Sequence, residues 1–261
     1  MTNRIDLTFQ KCKEEGKKAL IAFLTGGDPD IETTEKLILA MESVGVDIVE
    51  IGIPFSDPVA EGEVIQAASK RALENGCTVD KLFEMVKRLR EKTEMPLLFM
   101  TYANPIYAYG KERFMKTCRE VGIDGVIVPD VPFEEKAEFS KECVAYQVRQ
   151  ISLIAPTSKE RVELIAKEAE GFLYCVSSLG VTGMRKEISN QVEEWIQLVR
   201  KVSTIPCAVG FGISTPEQAG AMASISDGVI IGSGIVKIVE QYGRESIVPV
   251  QEFLRGVREK V

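Results

Sequence analysis

Histidine is absent from all 261 residues. Its absence removes the Ser-His and Cys-His nucleophile pairs and the commonest zinc ligand sets, so proton transfer is left to carboxylates, Tyr, Lys or Cys. A basic excess is also missing: Lys and Arg number 32 against 39 Asp and Glu, well mixed, for a formal charge of −7. No basic stripe can track a phosphate backbone, and nucleic acid is not an expected partner. The six cysteines, Cys12, Cys77, Cys118, Cys143, Cys175 and Cys207, are scattered without a C-x-x-C pair and read as reduced thiols. No apolar run reaches membrane-spanning length, and the N-terminal MTNRIDLTFQKCKEEGKK is charged throughout, unlike a signal peptide. A cytoplasmic protein with no membrane partner is the expectation. Nor does a Ser/Gly-rich linker or low-complexity run break the chain, so residues 1–261 are read as a single domain. The 45% hydrophobic content is enough to bury a large core.

What is present is a rhythm of short apolar runs: Ala19–Thr25, Asp47–Ile53, Pro96–Tyr102, Gly125–Val128, Ile151–Ala155, Phe172–Val176, Cys207–Phe211 and Gly228–Ile231. Helical patterns lie between them, such as Ile31–Val44, with Leu37, Ile38, Met41 and Val44 on one stripe, and Lys159–Ala169. Thr157-x-x-Glu160 and Thr215-x-x-Gln218 read as capping boxes, the second with Pro216 at the first helical position. Eight strands alternating with helices predict parallel βα units closed into a TIM (β/α)8 barrel, with an open Rossmann-type sheet as the alternative. Extra helices are expected at the N-terminus, over residues 4–16, and after the second strand, where Val64–Asn75 and Val79–Glu91 both fit before the next strand.

The stretch from Asp47 to Gln66 carries the candidate chemistry. Glu50 sits in an apolar, β-branched strand with no neighbouring cation. A carboxyl there is either a structural acid bonded to backbone or water, or a desolvated acid with a raised pKa that can move protons near neutrality. The loop Pro54–Gly62 that follows adds Asp57 and Glu61. Glycines cluster after the last three strands, at Gly180 and Gly183, at Gly210 and Gly212, and at Gly232 and Gly234. Glycine often simply ends strands, yet these loops are where barrels commonly cradle a phosphate through backbone N–H groups. Ser233 adds a hydroxyl, and Arg185 and Lys186 lie close in sequence. Phe23, Tyr102 and Tyr174 fall at or near strand ends with Met100, Ile154 and Phe211, which predicts an apolar pocket beside the cradle. The expected ligand is a flat apolar group bearing a phosphorylated tail.

These residues resemble the tryptophan synthase alpha subunit family over nearly the whole chain. The resemblance is carried by LTGGDPD at 24–30, VEIGIPFSDPVAEG at 49–62, YANPI at 102–106, VPDVPFEE at 128–135, SSLGVTG at 177–183, GFGISTPEQ at 210–218 and GVIIGSGIVK at 228–237. It implies retro-aldol cleavage of indole-3-glycerol phosphate into indole and glyceraldehyde 3-phosphate. By the same resemblance Glu50 is the strand-borne acid that protonates the indole carbon, and Glu61 stands where the family usually has Asp, the acceptor of the indole N–H. That is a departure, as is Glu63 where many members have Pro. Phe23, Tyr102, Tyr174 and Thr182 are implied to bind substrate, and Gly183, Gly212, Gly232 and Ser233 its phosphate. Asp57, Pro58, Asn104, Pro105, Asp130 and Pro132 are implied to meet a β subunit in an assembly of two alpha and two beta chains. Pyridoxal phosphate would belong to that subunit; no cofactor or metal is expected here. Two rival readings stand beside this one: another phosphate-binding barrel, such as indole-glycerol-phosphate synthase or a sugar-phosphate isomerase, and a member that has lost catalysis through Glu61 and serves as an activating partner.

Overall fold

The computed structural model describes residues 3–176, 186–210 and 212–261. Its strand segments are β1 (Ala19–Thr25), β2 (Ile48–Gly52), β3 (Leu97–Met100), β4 (Gly125–Ile127), β5 (Arg149–Gln150), β6 (Ser152–Ile154), β7 (Leu173–Val176), β8 (Cys207–Gly210) and β9 (Gly228–Ile231). All pair in parallel in the order β5-β4-β3-β2-β1-β9-β8-β7-β6. The two end segments are one run of chain interrupted at Ile151, whose N–H still donates to the Val126 carbonyl at 3.0 Å. That run pairs with β4 on one side and β7 on the other, so the sheet closes into an eight-staved barrel rather than an open sheet.

Twelve α-helices accompany the strands among the described residues: α1 (Arg4–Glu14), α2 (Ile31–Ser43), α3 (Glu63–Glu74), α4 (Val79–Leu89), α5 (Ala103–Tyr109), α6 (Lys111–Val121), α7 (Ala137–Tyr146), α8 (Lys159–Glu168), α9 (Lys186–Val202), α10 (Pro216–Ile225), α11 (Ser233–Tyr242) and α12 (Ile247–Arg258). Capping follows the local sequence. Asp30, Thr78 and Thr215 each accept a backbone N–H from the third residue onward, with Pro216 at the first position of α10. The side chain of Gln218 reaches back to the Ser214 N–H at 2.8 Å rather than to Thr215. The expected box at Thr157 shifts by one residue: Ser158 has the extended backbone and accepts the Arg161 N–H, so Ser158 is the cap.

Successive residues of each strand face opposite ways. Outward residues such as Leu20, Val49, Leu97 and Val229 pack against the helices in the main core. α4 alone buries Leu82, Phe83, Met85, Val86 and Leu89 there, at about 1.5–3 kcal/mol for each large side chain. Inward residues Ile21, Ile48, Leu98, Ile127, Phe172 and Ile230 fill the barrel, and Ile5, Phe9 and Cys12 of α1 close its N-terminal end. The opposite mouth is left for function. No helix among the described residues is long and apolar enough to cross a membrane.

Candidate active site

Glu50 is the third residue of β2, paired in register with Phe23 of β1 and Leu98 of β3. Because β2 is flanked on both edges and Glu50 faces inward, the side chain is fully buried. Neither carboxyl oxygen has a hydrogen-bond partner. The structural role for a buried acid, bonded to backbone, is therefore not the one observed. Burial alone pushes its pKa up to about 8, so the carboxyl is largely neutral at pH 7. Burial and the nearby Glu50 together raise the Tyr174 phenol well above its usual range.

Above this layer opens a cavity of about 750 Å³. Phe23, Met100, Leu153, Tyr174 and Ile230 form its apolar inner wall, Glu61 stands on one rim, and Gly212, Gly232 and Ser233 form the other. Glu50 lies beneath the wall rather than in it. Two glycines make room for the rings: Gly52, which sequence reasoning gave no role of its own, and Gly210, which it placed with the phosphate-side glycines. A Cβ on Gly52 would stand 2.7 Å from the Phe23 ring, and one on Gly210 would stand 2.8 Å from Tyr174. Only glycines ending a strand beside a neighbour that carries an inward aromatic could have signalled this.

Glu61 is half-buried, and burial pushes its pKa up to about 7 against the Tyr102 hydroxyl, which pulls it down. Glu63 begins α3 and is exposed. On the glycine side, Gly212 has φ of +62°, a conformation that disfavours side chains. Gly232 precedes α11 without a side-chain cap, leaving first-turn N–H groups facing the mouth. Two cations on the cavity wall are already engaged: Lys136 donates to the Glu168 carbonyl at 2.7 Å, and Arg161 pairs with Glu134. Thr182, Gly183, Arg185 and Phe211 lie outside the described residues, and the side chain of Lys186 is likewise not described.

Tyr102 takes a different place from its expected position at the mouth. It is buried, does not line the cavity, and its hydroxyl accepts the Ala60 N–H at 3.1 Å. The residues expected to meet a partner lie on loops at the same end of the barrel. Asp57, Asn104, Asp130 and Pro132 are exposed, and Pro58 and Pro105 are half-buried. Asp130 also accepts the Ala103 N–H through both oxygens, at 3.0 and 3.2 Å, capping α5 from the neighbouring loop. Among the described residues no group of three or more His, Cys, Asp or Glu is placed to hold a metal, and no strand carries a lysine for a Schiff base.

Residues 9–260 match the family described as tryptophan synthase alpha chain. The chain belongs to the tryptophan synthase alpha chain family. It is 47% identical over 259 residues to the tryptophan synthase alpha chain of Caldanaerobacter subterraneus subsp. tengcongensis, covering 98% of this chain and 99% of that one. Among solved structures it resembles tryptophan synthase subunit alpha from Legionella pneumophila, with a TM-score of 0.92 and 37% identity over 100% of this chain and 98% of that one. It also resembles a chain of the tryptophan synthase a2b2 complex from Pyrococcus furiosus, with a TM-score of 0.86 and 35% identity over 92% of this chain and 97% of that one. Membership in the alpha chain family sets aside the other phosphate-binding barrels weighed from sequence.

Proposed function

We propose that the chain cleaves indole-3-glycerol phosphate by a retro-aldol reaction, giving indole and glyceraldehyde 3-phosphate. Glu50, protonated at neutral pH, gives its proton to the indole ring carbon that bears the glycerol side chain. The bond from that ring carbon to the side chain then breaks with its electron pair returning to the ring, which leaves as indole, while the O–H pair of the side-chain hydroxyl becomes the second bond of the aldehyde carbonyl and the hydroxyl proton is taken up by the Glu50 carboxylate. Glu61, when ionised, accepts the indole N–H and stabilises the ring as charge shifts through it. Phe23 and Tyr174 hold the flat ring. Backbone donors at Gly183, Gly212 and Gly232, with Ser233, hold the phosphate, and Thr182 joins Phe23 and Tyr174 in binding the substrate. The observation that carries this reading is a sealed, unpartnered Glu50 beneath the apolar inner wall of the cavity, in a chain of this family.

The indole passes to a β subunit in an assembly of two alpha and two beta chains, as the Pyrococcus complex is built. Pyridoxal phosphate is the β subunit's cofactor, so the cleavage relies on this chain's own side chains. Asp57, Pro58, Asn104, Pro105, Asp130 and Pro132 form the docking surface. Residues 1–261 work as one domain in the cytoplasm. The test is indole release from indole-3-glycerol phosphate, measured with and without a β subunit. Glu50→Gln should abolish it while leaving the fold intact, and turnover near that of the parent chain would overturn the assignment. A chain active only as a stimulant of the β subunit would instead match the rival in which Glu61 has ended catalysis.

A further inference from the structure

The loop from Pro54 to Glu61 has almost no backbone support of its own. Between residues 54 and 61 no N–H reaches a backbone carbonyl among the described residues, and the only one with a protein acceptor there is that of Ala60. That acceptor is the Tyr102 hydroxyl, at 3.1 Å. The same ring tilts against Phe55, with centroids 5.3 Å apart, so one side chain holds both arms of the loop. Two other contacts are weaker holds. Ser56 bonds to its own neighbour Asp57, and Gln66 of α3 bonds the Glu61 carbonyl at 2.7 Å, behind the acid rather than before it.

Tyr102 is itself well fixed. It is 2% exposed and directly precedes α5, where the Asp130 carboxylate caps Ala103. Tyr102 offers α5 no cap of its own, because its hydroxyl is turned to the Glu61 loop. The geometry assigns Tyr102 a positioning role, in which its hydroxyl holds the Ala60 N–H and so sets where Glu61 stands over the cavity. This role rests on the reading of Glu61 as the second acid. The charged groups that face Tyr102 are Glu61 from the held loop and Asp130 from the loop after β4; after burial, they raise its phenol. The Tyr102 hydroxyl in turn holds Glu61 lower than burial alone would.

The test is steady-state cleavage of indole-3-glycerol phosphate by Tyr102→Phe, which keeps the ring on Phe55 and loses the hydroxyl. The expected result is a kcat lower by about tenfold with KM within about twofold, since a misplaced acid slows chemistry more than binding. The acid limb of the pH profile should also move to higher pH, a change that a purely structural role would not produce. Ala60→Pro removes the same hydrogen bond from an exposed loop position, so it should reproduce the kcat loss and add little to Tyr102→Phe in a double-mutant cycle. A rise in KM at unchanged kcat would make Tyr102 a substrate wall and overturn the proposal, as would additive losses or unaltered kinetics. Glu61→Ala in parallel separates the two levels: if it is silent, the second-acid assignment itself has failed. If it is severe while Tyr102→Phe is unaffected, only the positioning role has failed.

Discussion

Glu50→Gln should change the pH dependence of stability as well as end catalysis. In the folded chain the Glu50 carboxyl titrates at about 8, against 4.5 for an unperturbed Glu, because burial disfavours its charged form. Between those two values the native state keeps the proton and the unfolded chain has released it. The native state thus binds more protons, and stability must fall as pH rises. This contribution is fully present below about pH 4.5 and is lost as pH rises through about 8. At about 1.4 kcal/mol per pH unit over about 3.5 units, the loss amounts to about 5 kcal/mol. Some 3 kcal/mol of it has already gone at pH 7 by the same slope.

Gln cannot titrate. Since both Glu50 oxygens are already unpartnered, the amide changes stability by a nearly constant offset. The measurement is urea unfolding of both proteins from pH 5 to 9, followed by circular dichroism, with the free-energy difference plotted against pH. Groups common to both proteins cancel in that difference. The variant should gain on its parent by about 1.4 kcal/mol per unit up to about pH 8 and then level off. Two parallel curves would show that Glu50 titrates normally in the fold, and would refute both the sealed-acid argument and its use as a neutral proton donor.

The proposed mechanism requires Glu50 protonated and Glu61 ionised, so kcat/KM should fall below about pH 7 and above about pH 8; a profile with one limb only would break the pairing. Glu61→Asp should preserve or raise turnover and Glu61→Ala should lower it by about a hundredfold, whereas exposed Glu63, at the start of α3, should cost no more than about 1 kcal/mol of stability when replaced by Ala and leave the rate alone. Gly232→Ala would place a Cβ 3.1 Å from the Phe23 ring, so KM for the phosphorylated substrate should rise and free indole should bind more weakly too, both read by calorimetry. Asp57→Ala should reduce the stimulation by a β subunit more than it reduces the isolated chain's rate; equal losses would leave Asp57 a mere turn residue.

The barrel was legible because its strands are buried on both faces and read as apolar runs. All eight runs hold a strand, though the ends move. The run at Pro96–Tyr102 shows why ends matter. A strand extended to 102 would send Tyr102 inward along with Leu98 and Met100 by simple alternation. Instead β3 stops at Met100, the chain turns into α5, and the ring swings under the acid-bearing loop. No pattern in the sequence states where a strand yields to a helix start capped by a distant Asp130. Glu50 was easier to see, since an acid in a β-branched run without a cation has few places to go. Glu61 stood out only through the resemblance, because a loop carboxylate among Asp57 and Glu63 has no periodicity to mark it. The roles of Gly52 and Gly210 stayed hidden because the contact that explains each crosses from one strand to the next.

The two acids are mounted on supports of very different stiffness. Glu50 belongs to a strand hydrogen-bonded on both edges, so its position changes only if the barrel does, and its protonation is fixed by a sealed environment. Glu61 belongs to a loop whose N–H groups are nearly all without protein acceptors among the described residues, with Asp57 and Val59 exposed on it. A partner can therefore reach Glu61 and cannot reach Glu50. Docking on Asp57 and Pro58 that selects one arrangement of this loop shifts the population in which Glu61 meets the indole N–H, without touching the proton donor beneath. The coupling must also run backwards: a ligand that holds Glu61 in that arrangement strengthens association by the same factor as association strengthens the ligand. Under the proposed roles, the proton donor on the strand is held constant while the second acid on the loop is left open to control.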